Sequence, residues 1–390
     1  MSEIKKLIER FCPDGVEYKK LGEVCDFLTG FAFKATTFKK TGLPICKTTN
    51  IQNNAIDFDD MDCFDLDDYS CSLDKYIINK KDIVIGMSGS IKVGINKTDR
   101  QCYLNQRVGK FSPQDTLHNK FLFYLLCQSI SKLSEAISGG SVKNLSNKDV
   151  LNFEIPVPPI EVQSKIVEIL DNFTELEAEL EAELEARRKQ YEYYRNQLLT
   201  FDKVGGARFD VKWMTLGEIG EIGTGSSNTN EELEEGKYPF FVRSQIVRYK
   251  NDYEFDETAI ITSGDGVGVG KVFHFVEGKY ALHQRAYRIR INNKDVYPKF
   301  FFYYMRTNFY NYIMKNAYSS SVTSVRRPML IKFPVPIPPL SEQQRIVSIL
   351  DRFEALTTDL QSGLPAEIEA RRKQYEYYRE QLLTFKRKTA

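Results

Sequence analysis

At 390 residues, with 42% apolar and 27% charged residues, the chain has room for two or more domains with their own cores and the balance of an ordinary globular protein. No apolar run approaches the ~18 residues of a membrane span, and the N-terminal MSEIKKLIERF lacks the apolar core of a signal peptide. The formal net charge of +1 hides a segregation: residues 155–201 carry net −5 and residues 336–385 net −2, which leaves +8 on the rest. A polyanion such as nucleic acid would therefore meet the rest and not these two acidic stretches.

In chain order, residues 16–24, VEYKKLGEV, open a first segment that runs to residue 155. All seven cysteines (12, 25, 46, 63, 71, 102 and 127) precede residue 128 and form no CxxC pair. That pattern predicts reduced thiols in a cytoplasm rather than a disulfide framework or a metal site. Pro13-Asp14 followed by Glu17-Tyr18-Lys19 has the residue types of a nuclease set, but two intervening residues cannot bring two strands together. They read better as turn residues. The run IVIG at 83–86, bounded by Gly and Ser, predicts a strand, and Phe121–Ile137 has apolar residues at helical spacing. Residues 75–154 hold 12 basic against 6 acidic residues. Within them Ser88, Ser90, Lys92, Gln106, Arg107, Lys143 and Asn144 are candidates for contact with DNA. Arg, Asn and Gln carry the forked groups that match purine edges in a major groove; phosphate contact or plain surface is the bland alternative for each.

Pro158-Pro159 punctuates the start of a long helix. From Ile166 the apolar positions run 166, 170, 173, 180, 184, 191, 194, 198 and 201, the 4–3 spacing of a coiled-coil seam. Unbroken from Ile160 to Phe201, such a helix would span about 63 Å. Within it LEAELEAEL at 176–184 is a tetrad repeat, each unit adding about 6 Å of rise and about 40° of rotation. Its glutamates (175, 177, 179, 181, 183, 185) meet no basic residue before Arg187. They fit a solvated helical face or a spacer whose length matters. RRKQYEYYR at 187–195 interleaves base and aromatic as nucleic-acid surfaces do, but Tyr191 and Tyr194 fall on the seam, which favours a helix or partner interface.

The second half repeats the first. VKWMTLGEI at 211–219 answers 16–24, LHQR at 282–285 answers LNQR at 104–107, and FFFYYM at 300–305 answers FLFYLL at 121–126. SSSV at 319–322 parallels SGGSV at 138–142, and PIPPLSEQQRIVSILDRF at 336–353 parallels PVPPIEVQSKIVEILDNF at 156–173. EARRKQYEYYREQLLTF at 369–385 matches 185–201 at sixteen of seventeen positions. The order is domain, helix, domain, helix, divided at 1–155, 156–202, 203–335 and 336–390. AIIT at 259–262 predicts a strand and Phe300–Ile313 a helix. Residues 236–335 hold 16 basic against 7 acidic residues, and Arg243, Gln245, Arg248, His283, Gln284, Arg285, Arg326 and Arg327 form the second candidate DNA set. The second helical region keeps the seam but is four residues longer, with SGLP at 362–365 in the gap. Gly363 and Pro365 predict the end of one helix and the start of another there.

Signals of catalysis are weak. GDGVGVGK at 264–271 fails as a phosphate loop because Asp265 stands where the first glycine should and Val272 where a Ser or Thr should. Glycines 220, 223 and 225 have the wrong spacing for a dinucleotide loop, and the three histidines (118, 274, 283) form no metal pattern. No Asn/Asp-Pro-Pro-aromatic run, of the kind that base methylation usually uses, occurs.

Together LGEV and LGEI, IPVPP and VPIPP followed by Q..IV.ILD.F, the leucine tetrad, and ARRKQYEYYR.QLLTF at each helix end resemble the specificity subunits of Type I restriction–modification systems. The resemblance spans the chain. It implies an α+β fold: two mixed α/β target-recognition domains separated by the family's two conserved helical regions, packed as an antiparallel coiled coil with internal pseudo-two-fold symmetry. Each domain would read half of a bipartite site in double-stranded DNA, with about six unread base pairs between. Two modification subunits would dock on the helices and two restriction subunits would join them. The resemblance places docking at Arg187, Arg188, Tyr193 and Arg195, and at Arg371, Arg372, Tyr377 and Arg379. S-adenosylmethionine, ATP and Mg2+ would sit on the partner subunits, with no cofactor and no active site on this chain. A stand-alone coiled-coil DNA-binding regulator and a fused DNA methyltransferase remain the alternatives.

Overall fold

Each Leu-Gly-Glu motif follows a short strand that ties the start of a domain to its end. In a computed structural model, which describes residues 2–135, 144–201, 211–315, 324–358 and 363–388, Tyr18–Lys20 pairs antiparallel with Glu154–Pro156. Leu21 N–H then donates to the Phe153 carbonyl at 2.8 Å. The second copy does the same: Lys212–Thr215 pairs with Pro334–Ile337, and Leu216 N–H donates to Phe333 O at 2.9 Å. The strand leaving each domain thus sits just before the Pro-Pro pair that starts the helix.

The chain forms two compact units, Met1–Glu179 with Glu369–Ala390, and Leu180–Ile368. In the first, a six-stranded sheet runs in the order Cys25–Thr29, Val108–Pro113, Ile83–Gly86, Lys92–Ile95, Ala55–Ile56, Ile51–Gln52. Ile83–Gly86 is wholly buried, as a β-branched run at the centre of a sheet should be. A four-stranded sheet joins Cys63–Phe64, Leu43–Cys46, Cys102–Leu104 and Ile77–Ile78. The second unit has one six-stranded sheet: Gly220–Thr224, Ala286–Ile291, Phe255–Ser263, Phe273–Leu282, Tyr238–Phe241, Arg248–Lys250.

The difference has a local cause. Phe273–Leu282 runs as one strand to Leu282 of LHQR. Its counterpart in the first unit is cut into Lys92–Ile95 and Cys102–Leu104. Asn96, 1% exposed, makes the cut: its side chain accepts from Thr98 N–H at 3.0 Å and donates to Arg100 O at 2.8 Å, a local turn that competes with strand pairing.

Against each sheet lies an aromatic-rich helix, Asn119–Gln128 or Pro298–Lys315. The first core gathers Ile83, Ile85 and Phe111 from the sheet, Phe121 and Leu125 from that helix, and Ile166, Leu170, Leu382, Leu383 and Phe385 from the repeated regions. The second gathers Ile260, Ile289, Phe300, Tyr304 and Phe309 with Tyr191, Leu199, Ile346, Val347 and Leu350. Each unit therefore takes the beginning of one repeated region and the end of the other.

The central helix, Ile160–Leu198, passes unbroken through the tetrad. Its counterpart is two helices, Leu340–Thr358 and Leu364–Leu383, with Pro365 in the first turn of the latter. The latter starts at Leu364 after a bend at Gly363, as Pro365 predicts; the expected end of the preceding helix falls on residues 359–362, which lie outside those described. Within the first unit Phe173 packs on Tyr375 and Tyr378, with ring centroids 6.3 and 5.3 Å apart, and Arg372 pairs with Glu177 at 2.6 Å. Within the second, Phe353 meets Tyr191 and Tyr194 at 6.2 and 5.8 Å. Tyr191 is buried, as its seam position predicts; Tyr194 stays 41% exposed. In the tetrad, Glu183 and Glu185 are met one turn later by Arg187 and Lys189.

Candidate nucleic-acid interface and domain latches

The repeated Gln and Asp of the helix motif hold each domain on its helix. Gln163, fully buried, accepts from His118 N–H at 2.8 Å and donates to Thr116 O at 2.9 Å and Pro158 O at 2.7 Å. Gln343, equally buried, accepts from Tyr297 N–H and donates to Asp295 O and Pro338 O, each at 2.8 Å. Each amide thereby satisfies a donor at the start of the domain's aromatic helix and two carbonyls. About two turns on, Asp171 holds Lys120 at 2.6 Å and the Tyr124 hydroxyl at 2.7 Å. Asp351 holds Lys299 at 2.8 Å and the Tyr303 hydroxyl at 2.6 Å. Burial, and then the carboxylates, push both tyrosine hydroxyls well above their usual range.

The candidate DNA residues cluster at a corner built the same way in both units. In the first, Met87 N–H donates to Arg107 O at 2.8 Å, Leu145 N–H donates to Met87 O at 2.9 Å, and Ser88 bridges Asn144. Three distant segments so bring Ser88, Ser90, Gln106, Arg107 and Asn144 together. Gly89, at φ +71°, forms an open tip that a side chain would strain. Ser90, Gln106, Arg107 and Asn144 are exposed, and Lys92 donates to Gln52 at 3.3 Å. Lys143 lies outside the described residues.

In the second unit Gly264 N–H donates to Arg285 O at 2.9 Å, Val325 N–H donates to Gly264 O at 2.8 Å, and Asp265 bridges Ser324. Arg326 and Arg327 follow directly and are exposed. The glycine run 264–271 is thus a loop between two strands and not a strand-to-helix phosphate cradle. At its tip Gly266 has φ +82° and Val267 is 99% exposed. Beneath it Arg243 bonds Asp265 at 2.7 Å and Arg285 bonds the other carboxylate oxygen at 3.4 Å. Gln284 is exposed and bonds the Asn228 side chain. Gln245 is exposed, its amide 3.5 Å from Phe273 O, and Arg248 lies 3.9 Å from Glu232. His283 does not reach the surface: it is 4% exposed, and its Nδ1 accepts from Arg285 N–H at 3.0 Å. Burial, aided by Arg243 and Arg285, depresses its pKa, so it shapes the corner as a neutral ring.

Asp265 and Val267 are the corner residues that sequence reasoning missed. Asp265 registers there only as the residue that spoils a phosphate loop; the usable signal is a lone carboxylate beside glycines in a basic stretch.

Of the candidate partner residues, Tyr193 and Tyr377 hold equivalent places and are 61% and 58% exposed. Arg188 is exposed, Arg187 bonds Glu183 and Gln190, and Arg371 bonds Gln374 at 3.2 Å. Arg372 pairs with Glu177. Arg195 and Arg379 lie over the rings of Tyr191 and Tyr375 at 5.5 and 5.4 Å. All seven thiols are free, and burial lifts those of Cys25 and Cys127 to about 12. Among the described residues no group of three or more His, Cys, Asp or Glu could hold a metal ion, and no helix is long and apolar enough to cross a membrane.

A duplicated α+β chain with one equivalent loop corner per copy, each domain latched to its own copy of the helix motif, has the layout of a two-domain recognition protein. The family described as Type I restriction modification DNA specificity domain matches it twice, at residues 13–186 and 210–370. The chain is 36% identical over 294 residues to the specificity subunit of the Type I restriction enzymes EcoR124I/EcoR124II of Escherichia coli, covering 68% of this chain and 70% of that one. It is 29% identical to a putative Type I specificity subunit of Haemophilus influenzae, over 98% of both. The crystal structure of an S subunit from M. genitalium superposes with a TM-score of 0.56 at 18% identity, covering 94% of this chain and 95% of that one. A structure from a study of Type I assembly and conformational transition gives 0.58 at 16%, covering 95% and 97%. The chain belongs to the Type I specificity family and serves as a DNA sequence-specificity subunit of a Type I restriction–modification system.

Proposed function

We propose that each corner reads one half of a bipartite site in double-stranded DNA, the first through the Ser88, Gln106, Arg107 and Asn144 set, the second through Arg243, Gln284, Arg285, Arg326 and Arg327. The observation that carries this reading is one loop corner built twice with different side chains, Ser88-Gly89-Ser90 at one tip and Asp265-Gly266-Val267 at the other. Equal scaffolds with unequal tips suit two unequal half-sites. The repeated helical regions form an antiparallel coiled coil that sets the spacer; the Phe173 and Phe353 contacts with equivalent tyrosines support it.

Two modification subunits dock on the matched helix ends around Tyr193 and Tyr377, and two restriction subunits complete the assembly. S-adenosylmethionine, ATP and Mg2+ act there, and this chain, working in the cytoplasm, contributes address and not chemistry. Co-expression with a cognate modification subunit, followed by mapping of N6-methyladenine, tests the reading. A two-part motif with a fixed gap is expected. A stable complex that leaves DNA unmethylated would sink it.

A further inference from the structure

The second corner contains a group that a DNA-facing surface should avoid. Asp265 contacts Arg243 and Arg285, and its backbone bridges Ser324, two residues before Arg326; an acid there repels phosphates that the cations attract. Its placement is nevertheless fixed from several sides. Besides the bridge to Ser324, its carbonyl accepts from Ser263 Oγ at 2.8 Å. One carboxylate oxygen takes Arg243 Nη1 at 2.7 Å; the other takes Arg285 Nη1 at 3.4 Å. The Asp265 side chain is 29% exposed, those of Arg243 and Arg285 37% and 61%. Each guanidinium is therefore held by one nitrogen and keeps other N–H groups toward solvent. Burial works against the carboxylate charge, but the two arginines outweigh it and hold the group ionised below the usual range.

The first corner lacks this device. Ser88 occupies the position of Asp265, and among the described residues Arg107 has no ion-pair partner. A free arginine side chain samples many rotamers; one clamped along an edge presents its remaining N–H groups in a set direction. Such a group matches the N7 and O6 acceptors of guanine.

We propose that Asp265 is a positioning residue for specificity: it holds Arg243 and Arg285 as a fixed pair of guanidiniums that reads guanine in the second half-site. This rests on the reading that the corner faces DNA.

The test uses the whole specificity–modification complex with Asp265→Asn, after the wild-type motif has been mapped. Removing the charge frees both arginines for phosphates. Binding to a non-specific duplex should stay equal or tighten, with a log–log salt slope steeper by about one. Discrimination at guanines of the second half-site should fall about 5- to 100-fold, while the first half-site is read as before. A merely structural loss would weaken both kinds of binding and would not steepen the slope. Independently of any variant, 7-deazaguanine, which lacks the N7 acceptor, should weaken the wild-type complex in the second half-site. Indifference of the wild type to 7-deazaguanine there, or unchanged discrimination by the variant, overturns the proposal. If instead the wild-type complex reads no bipartite site at all, the underlying reading fails with it.

Discussion

One buried amide does the work of three polar groups at each domain joint. Replacing Gln163 by Ala strands the His118 N–H and the carbonyls of Thr116 and Pro158, at about 1–3 kcal/mol for each group that water cannot reach. Hydrogen exchange should then show lost protection in Asn119–Gln128 and not in Pro298–Lys315; Gln343→Ala should do the reverse. Equal loss in both helices from either variant would contradict separate latches. The histidines set a pH dependence. Burial is the main cause that depresses His118, His274 and His283. With folded pKa values below the unfolded value of about 6.5, the unfolded chain binds more protons in mild acid. Their contribution is therefore present above about pH 6.5 and lost as pH falls. The melting temperature should drop from pH 7 to pH 5, and less steeply in His274→Gln. At this scale the sequence was only partly legible. Gln163 and Gln343 stood out as repeated letters, but their partners lie 45 and 46 residues away, and no local pattern encodes that.

Elements were more legible where a period runs long. The 4–3 spacing predicts the helices, and Gly363 with Pro365 predicts the start of a new one at Leu364 in the second region, because both signals are local. Most strands of two to four residues leave too little alternation to detect; the runs IVIG and AIIT mark Ile83–Gly86 and part of Phe255–Ser263. The split of the first sheet at Asn96 depends on a side-chain turn rather than on hydrophobic pattern. In the unbroken helix Ile160–Leu198, the tetrad leucines Leu176, Leu180 and Leu184 are exposed or only half covered, so little packing opposes a change of length. Inserting one EAEL unit adds about 6 Å and about 40°. The methylated motif of that variant should show a longer spacer between unchanged half-sites. Altered half-site bases in the methylome would refute a spacer role.

For the whole molecule, repeat boundaries and compact units divide the chain differently. The sequence repeats at 156 and 336, whereas compactness separates 180–368 from the rest. Periodicity marks what was copied; only packing shows which copy completes which core. Leu382, Leu383 and Phe385, at 2%, 4% and 8% exposure, close the first core, and Lys388 N–H donates to Val16 O at 2.9 Å. Truncation after Gln381 strips three side chains worth about 1.5–3 kcal/mol each when buried. Limited proteolysis should then open the first unit, around Asn119–Gln128, and spare the second. An undisturbed first unit would show that the terminal segment is dispensable.

That terminal closure also fixes an order in time. The second unit is complete once Ile368 has been made, but the first must wait for Phe385. At about 5–20 residues per second, the roughly 200 residues after Glu179 take about 10–40 s to synthesise. Through that interval the domain translated first keeps the face of Phe121 uncovered, while the domain translated second finishes ahead of it. Any chaperone guarding this chain on the ribosome has its longest task at the beginning of the sequence.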